Sequence, residues 1–308
     1  MLMKKYIIEK AKELKIDMIG FTDGNPLTTI KDYLEYRRLN NIETEFEEEN
    51  ILLRIDPKLT LETCKSIIVI ALSYNVVFDE KSEIKYSGNL SKSSWGIDYH
   101  RVLKNKLEAL IEEIKKITPF EYKYFVDTGP LVDRELAHKA GIGYYGKNCN
   151  IINEEYGSFI FIGYILTDLD IEPNEGLLES QCGVCEICLK ACPDKALEEG
   201  YRLNAKKCIS YHTQTKDMDL EIMKKIGNNI YGCDTCQNVC PKNKNIRFSI
   251  HDEFLPHVTK GVIDIEELLI MSNKQFKEKY GSMSGSWRGR NILRRNALIA
   301  LENIKTSI

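Results

Sequence analysis

The stretch 181-QCGVCEICLKACPDKAL-197 holds four cysteines, the first three separated by two residues each and the last followed by proline. A run of thiols like this can ligate metal, form disulfides or do redox chemistry. Ten cysteines stand in 308 residues, and eight of them fall between 182 and 240, while Cys64 and Cys149 stand alone. That concentration marks a separate module. The N-terminus MLMKKYIIEKAKELKID interleaves lysines with apolar residues at helical spacing and does not read as a secretory signal. A cytoplasmic, reducing setting is therefore expected, where metal ligation is favoured over a disulfide framework.

The spacing C-x2-C-x2-C-x3-C-P is that of bacterial ferredoxins. Three closely spaced thiolates each reach one iron of a cubane, and the cysteine before proline points away to ligate a second cluster. Downstream, 233-CDTCQNVCP-241 is a shortened run with the same Cys-Pro ending, and Cys208 stands between the two. The arithmetic closes on two 4Fe–4S clusters. Cys182, Cys185, Cys188 and Cys240 complete one, and Cys192, Cys208, Cys233 and Cys236 complete the other. Two zinc sites would also consume eight cysteines, but zinc does not call for this spacing. Clusters imply electron transfer and leave the reaction open.

About 180 residues precede the clusters, far more than a ferredoxin needs, which suggests a catalytic domain fed by them. SIIVIALSY (66–74) and YKYFVDT (122–128) read as strands, and IIVIAL (67–72) and FIFIGYIL (159–166) are too short to span a bilayer. The pattern predicts helices over 1–17, 101–117 and 133–141, the last with Asp133 as its cap and Gly141 as its stop. Alternating helices and strands imply an α/β or α+β domain over 1–177. A ferredoxin-like two-cluster module follows over 178–247, and a short helical segment over 248–308. The acidic run ETEFEEE (43–49) reads as solvated surface. Net charge is −3 overall, but residues 239–308 carry 12 Lys/Arg against 7 Asp/Glu, leaving about −8 for the rest.

Between the strands lies 125-FVDTGPLVDRELAHKAGIGYYGKNCNIINEEYGSFIFIGYIL-166, rich in glycine, as tight turns around a flat or bulky ligand would require. No G-x-G-x-x-G follows a strand, so a dinucleotide site is not indicated. Asp127, at a strand end before Thr-Gly-Pro, is placed like a catalytic acid; partial burial would raise its pKa and let it donate near neutrality. A turn or cap aspartate is the alternative. His100 and His138 read as structural and Cys149 as a buried thiol. Asp98 and His100 do not form the corrinoid motif D-x-H-x-x-G, since residue 103 is leucine.

Taken in order, VDTGPLVDRELAHKAGIGYYGKN (126–148), NEEYGSFIF, QCGVCEICLKACPDKAL, CISYHTQTK, IYGCDTCQNVCP and SGSWRGRNILRRNALIAL closely resemble the epoxyqueuosine reductases, iron–sulfur, cobalamin-dependent tRNA-modifying enzymes. The likeness spans nearly the whole chain. It implies reduction of epoxyqueuosine to queuosine at the tRNA wobble position (34), with a corrinoid between the α/β domain and the cluster module. The family's cobalamin domain is related to that of reductive dehalogenases. The resemblance makes Asp127 the proton donor and a corrinoid neighbour, and it places further corrinoid contacts at Arg54, Ile151, Ile162, Ser210 and Asp234. Many members continue past the SWRG helix into HEAT-type repeats that help hold tRNA, whereas this sequence has about one helix of that region. Binding of tRNA then falls to basic residues that remain: Lys242, Lys244, Arg247, Arg288, Arg290, Arg294 and Arg295. A ferredoxin- or flavodoxin-type donor and a monomer are expected. Two rivals share parts of the pattern: a corrinoid reductase of small molecules, such as a dehalogenase, and a non-enzymatic ferredoxin-type electron carrier.

Overall fold

The protein is described from a computed structural model over residues 2–78, 84–174 and 176–306. Its larger sheet runs in the order Met18–Asp23, Ser66–Ser73, Ile160–Thr167, Tyr122–Val126, and every neighbouring pair is antiparallel. Strands alternating with helices had suggested α/β or α+β. The antiparallel pairing selects α+β.

Both faces of this sheet are covered, which explains why its inner strands read as unbroken apolar runs. Every residue of Ser66–Ser73 is buried. Its side chains alternate between two cores, as a period of two demands. Ile68, Ile70 and Leu72 pack with Ile7 and Ala11 of the helix Leu2–Glu13 and with Leu103, Leu107 and Leu110 of the helix Tyr99–Lys115. Ile67, Val69 and Ala71 pack instead with Leu34 of the helix Lys31–Leu39 and Leu136 and Ala137 of the helix Asp133–Lys139. The helix Tyr99–Lys115 begins where the Asp98 side chain accepts from the His100 amide.

A smaller sheet joins distant parts of the chain. The strand Ser87–Leu90 lies between Asn229–Tyr231, parallel to it, and Val262–Asp264, antiparallel to it. The long helix Gly289–Thr306 packs on this sheet through Leu293, Ala297 and Ala300. Asn296, fully buried, donates to the carbonyls of Thr213 and Ile230 at 2.7 and 2.8 Å. One amide thereby pins the C-terminal helix to the loops that carry the cysteines. Those loops are held by short helices, Ile187–Ala191, Ile209–His212, Leu220–Lys225 and Thr235–Asn238.

Candidate active site and cluster module

Asp127 follows directly after the strand Tyr122–Val126, and its backbone turns into the left-handed region with φ of 58°. That conformation is uncommon for a residue other than glycine. It is held from two sides. The Asp127 amide donates to Oδ2 of Asp133 at 3.1 Å, and the Tyr99 hydroxyl donates to Oδ2 of Asp127 at 2.6 Å. His100 Nε2 lies 3.6 Å from the same oxygen, and its Nδ1 meets Oδ1 of Asp98 at 2.7 Å. The Asp127 side chain remains 63 % exposed. Pairing in the sheet sets Val126 opposite Gly163, so Ile162, only half covered in an otherwise buried strand, lies beside the acid.

Two expectations about these carboxyls are corrected. Burial of Asp127 favours its neutral form, but the close approach and charge of His100, the hydrogen bond from Tyr99 and the charge of Arg134 outweigh it and hold the carboxyl below its usual range. The raised carboxyl is Asp133, pushed up to about 7 by burial and by the charge of Asp127. Nor does Asp133 cap its helix. Val132 occupies the cap position, and Asp133 is the first helical residue, its side chain turned to the Asp127 amide. His100, which reads as structural in the sequence, lies between the carboxylates of Asp98 and Asp127. Burial disfavours its charge, but Asp127 and Asp98 together raise it to about 9. The only sequence sign was Asp-x-His at a helix start.

Stacked aromatic rings lead from Asp127 into the cluster module. Tyr99 lies on Phe161, with ring centroids 4.2 Å apart and 7° between planes, and Phe161 lies on Tyr74 at 4.2 Å. Tyr74 receives a hydrogen bond from Gln237, the neighbour of Cys236.

All ten cysteines are free thiols. Cys182, Cys185, Cys188 and Cys240 line one cavity, together with Lys147, Asn148 and Ile152. Cys236 is half-buried, and Cys208, Cys233 and Cys192 lie close enough for their charges to act on it, with Cys188 next. The two groups of thiols therefore adjoin. Backbone amides of Lys147 and Ala196 donate to the sulfurs of Cys182 and Cys192, at 3.4 and 3.2 Å. Among the described residues no three His, Cys, Asp or Glu side chains gather tightly enough to hold a single metal ion. Zinc would draw its sulfurs to ~2.3 Å from one point. Each thiolate of an iron–sulfur cube instead meets its own iron, which suits four thiols lining one cavity.

Family comparison agrees with this geometry. Residues 181–243 match the 4Fe-4S double cluster binding domain, and residues 54–128 match the model described as epoxyqueuosine reductase QueG, DUF1730. The epoxyqueuosine reductase of Bacillus anthracis is 44 % identical over 310 residues, covering 98 % of this chain and 81 % of that protein. The chain belongs to the epoxyqueuosine reductase family. A crystal structure of an epoxyqueuosine reductase with an epoxyqueuosine-modified tRNA-Tyr stem loop superposes with a TM-score of 0.96 at 42 % identity, over 99 % of this chain and 82 % of that one. The Bacillus subtilis epoxyqueuosine reductase, in a structure whose catalytic aspartate loop is swung out of the active site, gives 0.92 at 41 % identity with the same coverage.

The remaining residues singled out from the sequence fall into distinct settings. Arg54 is buried against Glu47 at 2.9 Å, and Glu47 also takes a two-point hydrogen bond from Arg37. The acidic run is thus not wholly solvated: despite burial, the two guanidiniums lower the Glu47 carboxyl to about 2. Both oxygens of Asp234 are engaged, one by the Ser91 hydroxyl and one by the Lys92 amide. Ile151 is buried, and Ser210 sits half-buried in the helix after Cys208.

The basic residues separate as well. Lys244 is exposed, Lys242 donates to Gln181, and Arg247 pairs with Glu155. Arg290 and Arg294 donate to the carbonyls of Met271 and Leu269. Arg295 is corrected from a surface cation to a brace, since its guanidinium donates to the carbonyls of His212, Thr215 and Lys216. Arg288 alone of the four arginines lines an open groove of about 730 Å³, with Phe46, Lys206, Tyr211 and Lys216. Its guanidinium covers the rings of Phe46 and Trp287 at 5.4 and 4.7 Å. No described helix is long and apolar enough to cross a membrane.

Proposed function

We propose that this chain reduces epoxyqueuosine to queuosine at the wobble position of tRNA, with Asp127 passing a proton to the oxygen that leaves. The observation that carries this reading is the setting of Asp127. Its carboxylate is exposed at a strand end, fixed by Tyr99 and His100, and joined by stacked rings to the thiol groups. An alkoxide is a poor leaving group where water is scarce, so a proton delivered as the C–O bond breaks lowers the barrier. Loss of the oxygen as water leaves the alkene.

In this account Cys182, Cys185, Cys188 and Cys240 hold one 4Fe–4S cluster, and Cys192, Cys208, Cys233 and Cys236 hold the other. A ferredoxin- or flavodoxin-type carrier loads them singly with electrons. Amides on Cys182 and Cys192 stabilise the charged sulfurs and tune their potentials. Cobalamin, when bound, supplies a strongly reducing centre able to engage the epoxide-bearing ring. Asp127, Ile162 and Ser210, none of them fully buried, would help to hold the corrinoid. Arg54 and Asp234, which already have protein partners, and the buried Ile151 would complete its pocket.

The substrate arrives as part of an RNA loop, and its base must be splayed out to reach Asp127. Trp287 and Phe46, capped by Arg288, present aromatic faces of the kind on which unstacked bases settle. Lys206 and Lys216 in the same groove supply positive charge for the phosphates, and Lys244 is exposed after the last Cys-Pro. The protein acts as a monomer in the cytoplasm.

The test is direct. Protein reconstituted without oxygen, given cobalamin and a one-electron reductant, should convert epoxyqueuosine in tRNA to queuosine on mass spectrometry of the nucleosides. Unchanged epoxyqueuosine would overturn the reading.

A further inference from the structure

Removing an epoxide oxygen as water consumes two electrons and two protons, and one carboxyl holds only one proton at a time. The electrons come from the reduced clusters. The second proton needs a source within reach of Asp127, and the structure contains one that the reading above does not use. His100 lies between two carboxylates, with Nδ1 2.7 Å from Asp98 Oδ1 and Nε2 3.6 Å from Asp127 Oδ2. Tyr99 stacks on the imidazole at 4.2 Å, fixing the plane of the ring. The His100 side chain is 35 % exposed, so it can exchange protons with water.

We propose that His100, oriented by Asp98, is the proton store that reloads Asp127 during each turnover. The inference rests on the proposed function, because it assumes that Asp127 serves the oxygen. In the step itself, the Nε2–H bond of His100 breaks and a proton passes to Oδ2 of Asp127. The Asp127 O–H then breaks as the substrate oxygen gains its hydrogen, and the C–O electron pair stays with that oxygen. Neutral His100 recovers its proton from water on the exposed side. The relay moves protons only, so the electron count of the reaction is unchanged.

The charged surroundings favour this division of labour. Asp98 and Asp127 face His100 from two sides, and both stabilise its cationic form, which persists up to a pH of about 9. Asp127, beside His100 and Tyr99 and near Arg134, is held as the anion, so it accepts the His100 proton only as its own proton passes to the leaving oxygen and the C–O bond breaks. Asp133 behind the loop, Tyr231 on a strand of the smaller sheet and Arg101, whose charge acts on Asp98, are the other charged or titratable groups around the pair. Tyr99 and Tyr231 are both shifted upward by burial and remain neutral donors. A structural histidine would need only one of these carboxylates. The second one points at the acid.

The test is the pH dependence of single-turnover reduction by the holoenzyme on epoxyqueuosine-containing tRNA. For the wild type the rate should hold through neutrality and fall as pH rises through about 9, where His100 loses its proton. His100→Gln should be about a hundredfold slower at neutral pH and should lack that fall. Asp98→Asn keeps the imidazole but removes one carboxylate, so the fall should move to lower pH. His100→Ala should regain rate when imidazole is added. Iron content and melting temperature equal to wild type establish that a variant is folded. Should His100→Gln not fold, the Asp98→Asn profile decides alone. A wild-type rate and an unmoved alkaline limb in the variants would overturn the relay while leaving the function intact. A wild-type protein inactive on this tRNA would overturn the function itself.

Discussion

The hydroxyl of Tyr99 donates to the carboxylate of Asp127 at 2.6 Å. Tyr99 belongs to the helix packed under the sheet, and Asp127 to the loop at the sheet's end, so this bond holds a strained loop against a rigid element. Tyr99→Phe should keep the ring stacked on Phe161 and lose only that hold. A hydrogen bond to a charged group contributes about 1.5–3 kcal/mol. The expected outcome is a fall in kcat of at least about tenfold with little change in KM, read by steady-state reduction of modified tRNA.

Asp133 ties stability to pH. Its folded pKa of about 7 lies above the ordinary 3.8, so the folded state prefers the protonated form. The associated stability is complete below about 4 and is lost as pH rises through 7. Asp133→Asn mimics the neutral form and keeps an oxygen for the Asp127 amide. Allowing for partial exposure, it should be more stable than wild type by about 2 kcal/mol at pH 8. Below about pH 4, where Asp133 is protonated in both states, the two should differ little in urea unfolding.

Aromatic stacking in the open groove predicts a binding defect with no loss of chemistry. Trp287 is 54 % exposed and carries Arg288 over its ring. Trp287→Ala should weaken tRNA affinity by about tenfold, consistent with ~1–3 kcal/mol per stacked base. Gel-shift titration at two salt concentrations separates this from phosphate contact. The defect should persist in high salt, where affinity for all variants falls.

Asn296 predicts a stability effect transmitted to the clusters. Replacing it by Ala leaves the buried carbonyls of Thr213 and Ile230 without their donor. An unmet buried polar group costs about 1–3 kcal/mol. The melting temperature should fall by several degrees, and iron should be lost faster to a chelator because Thr213 follows the helix after Cys208 and Ile230 lies in the strand before Cys233.

Much of this was legible in the sequence, and the reason differs by feature. Cysteine spacing is a local code, so the two groups of thiols could be assigned by counting. The inner strands were legible because a sheet covered on both faces demands unbroken apolar runs such as Ile67–Leu72. Asp127 was legible only as a position. Its electrostatics were not, because they depend on Tyr99 and His100, 28 and 27 residues away in the chain. The strand Ser87–Leu90 shows no periodic pattern and is defined by partners at 229–231 and 262–264. The acidic run read as solvated because nothing local shows that Arg37 and Arg54 converge on Glu47. Arg295 read as a surface cation because its partners are backbone carbonyls, which carry no sequence signal.

The central claim is that Asp127 delivers the proton for epoxide removal in tRNA. The most direct measurement compares queuosine formed by wild type and by Asp127→Asn under identical anaerobic single-turnover conditions, with iron and corrinoid content measured on the same samples. Asparagine tolerates the left-handed backbone at this position and can still accept from Tyr99. The account predicts conversion by the wild type and a loss of at least about a thousandfold in the variant, with cofactor content unchanged. Conversion by Asp127→Asn at the wild-type rate would contradict it.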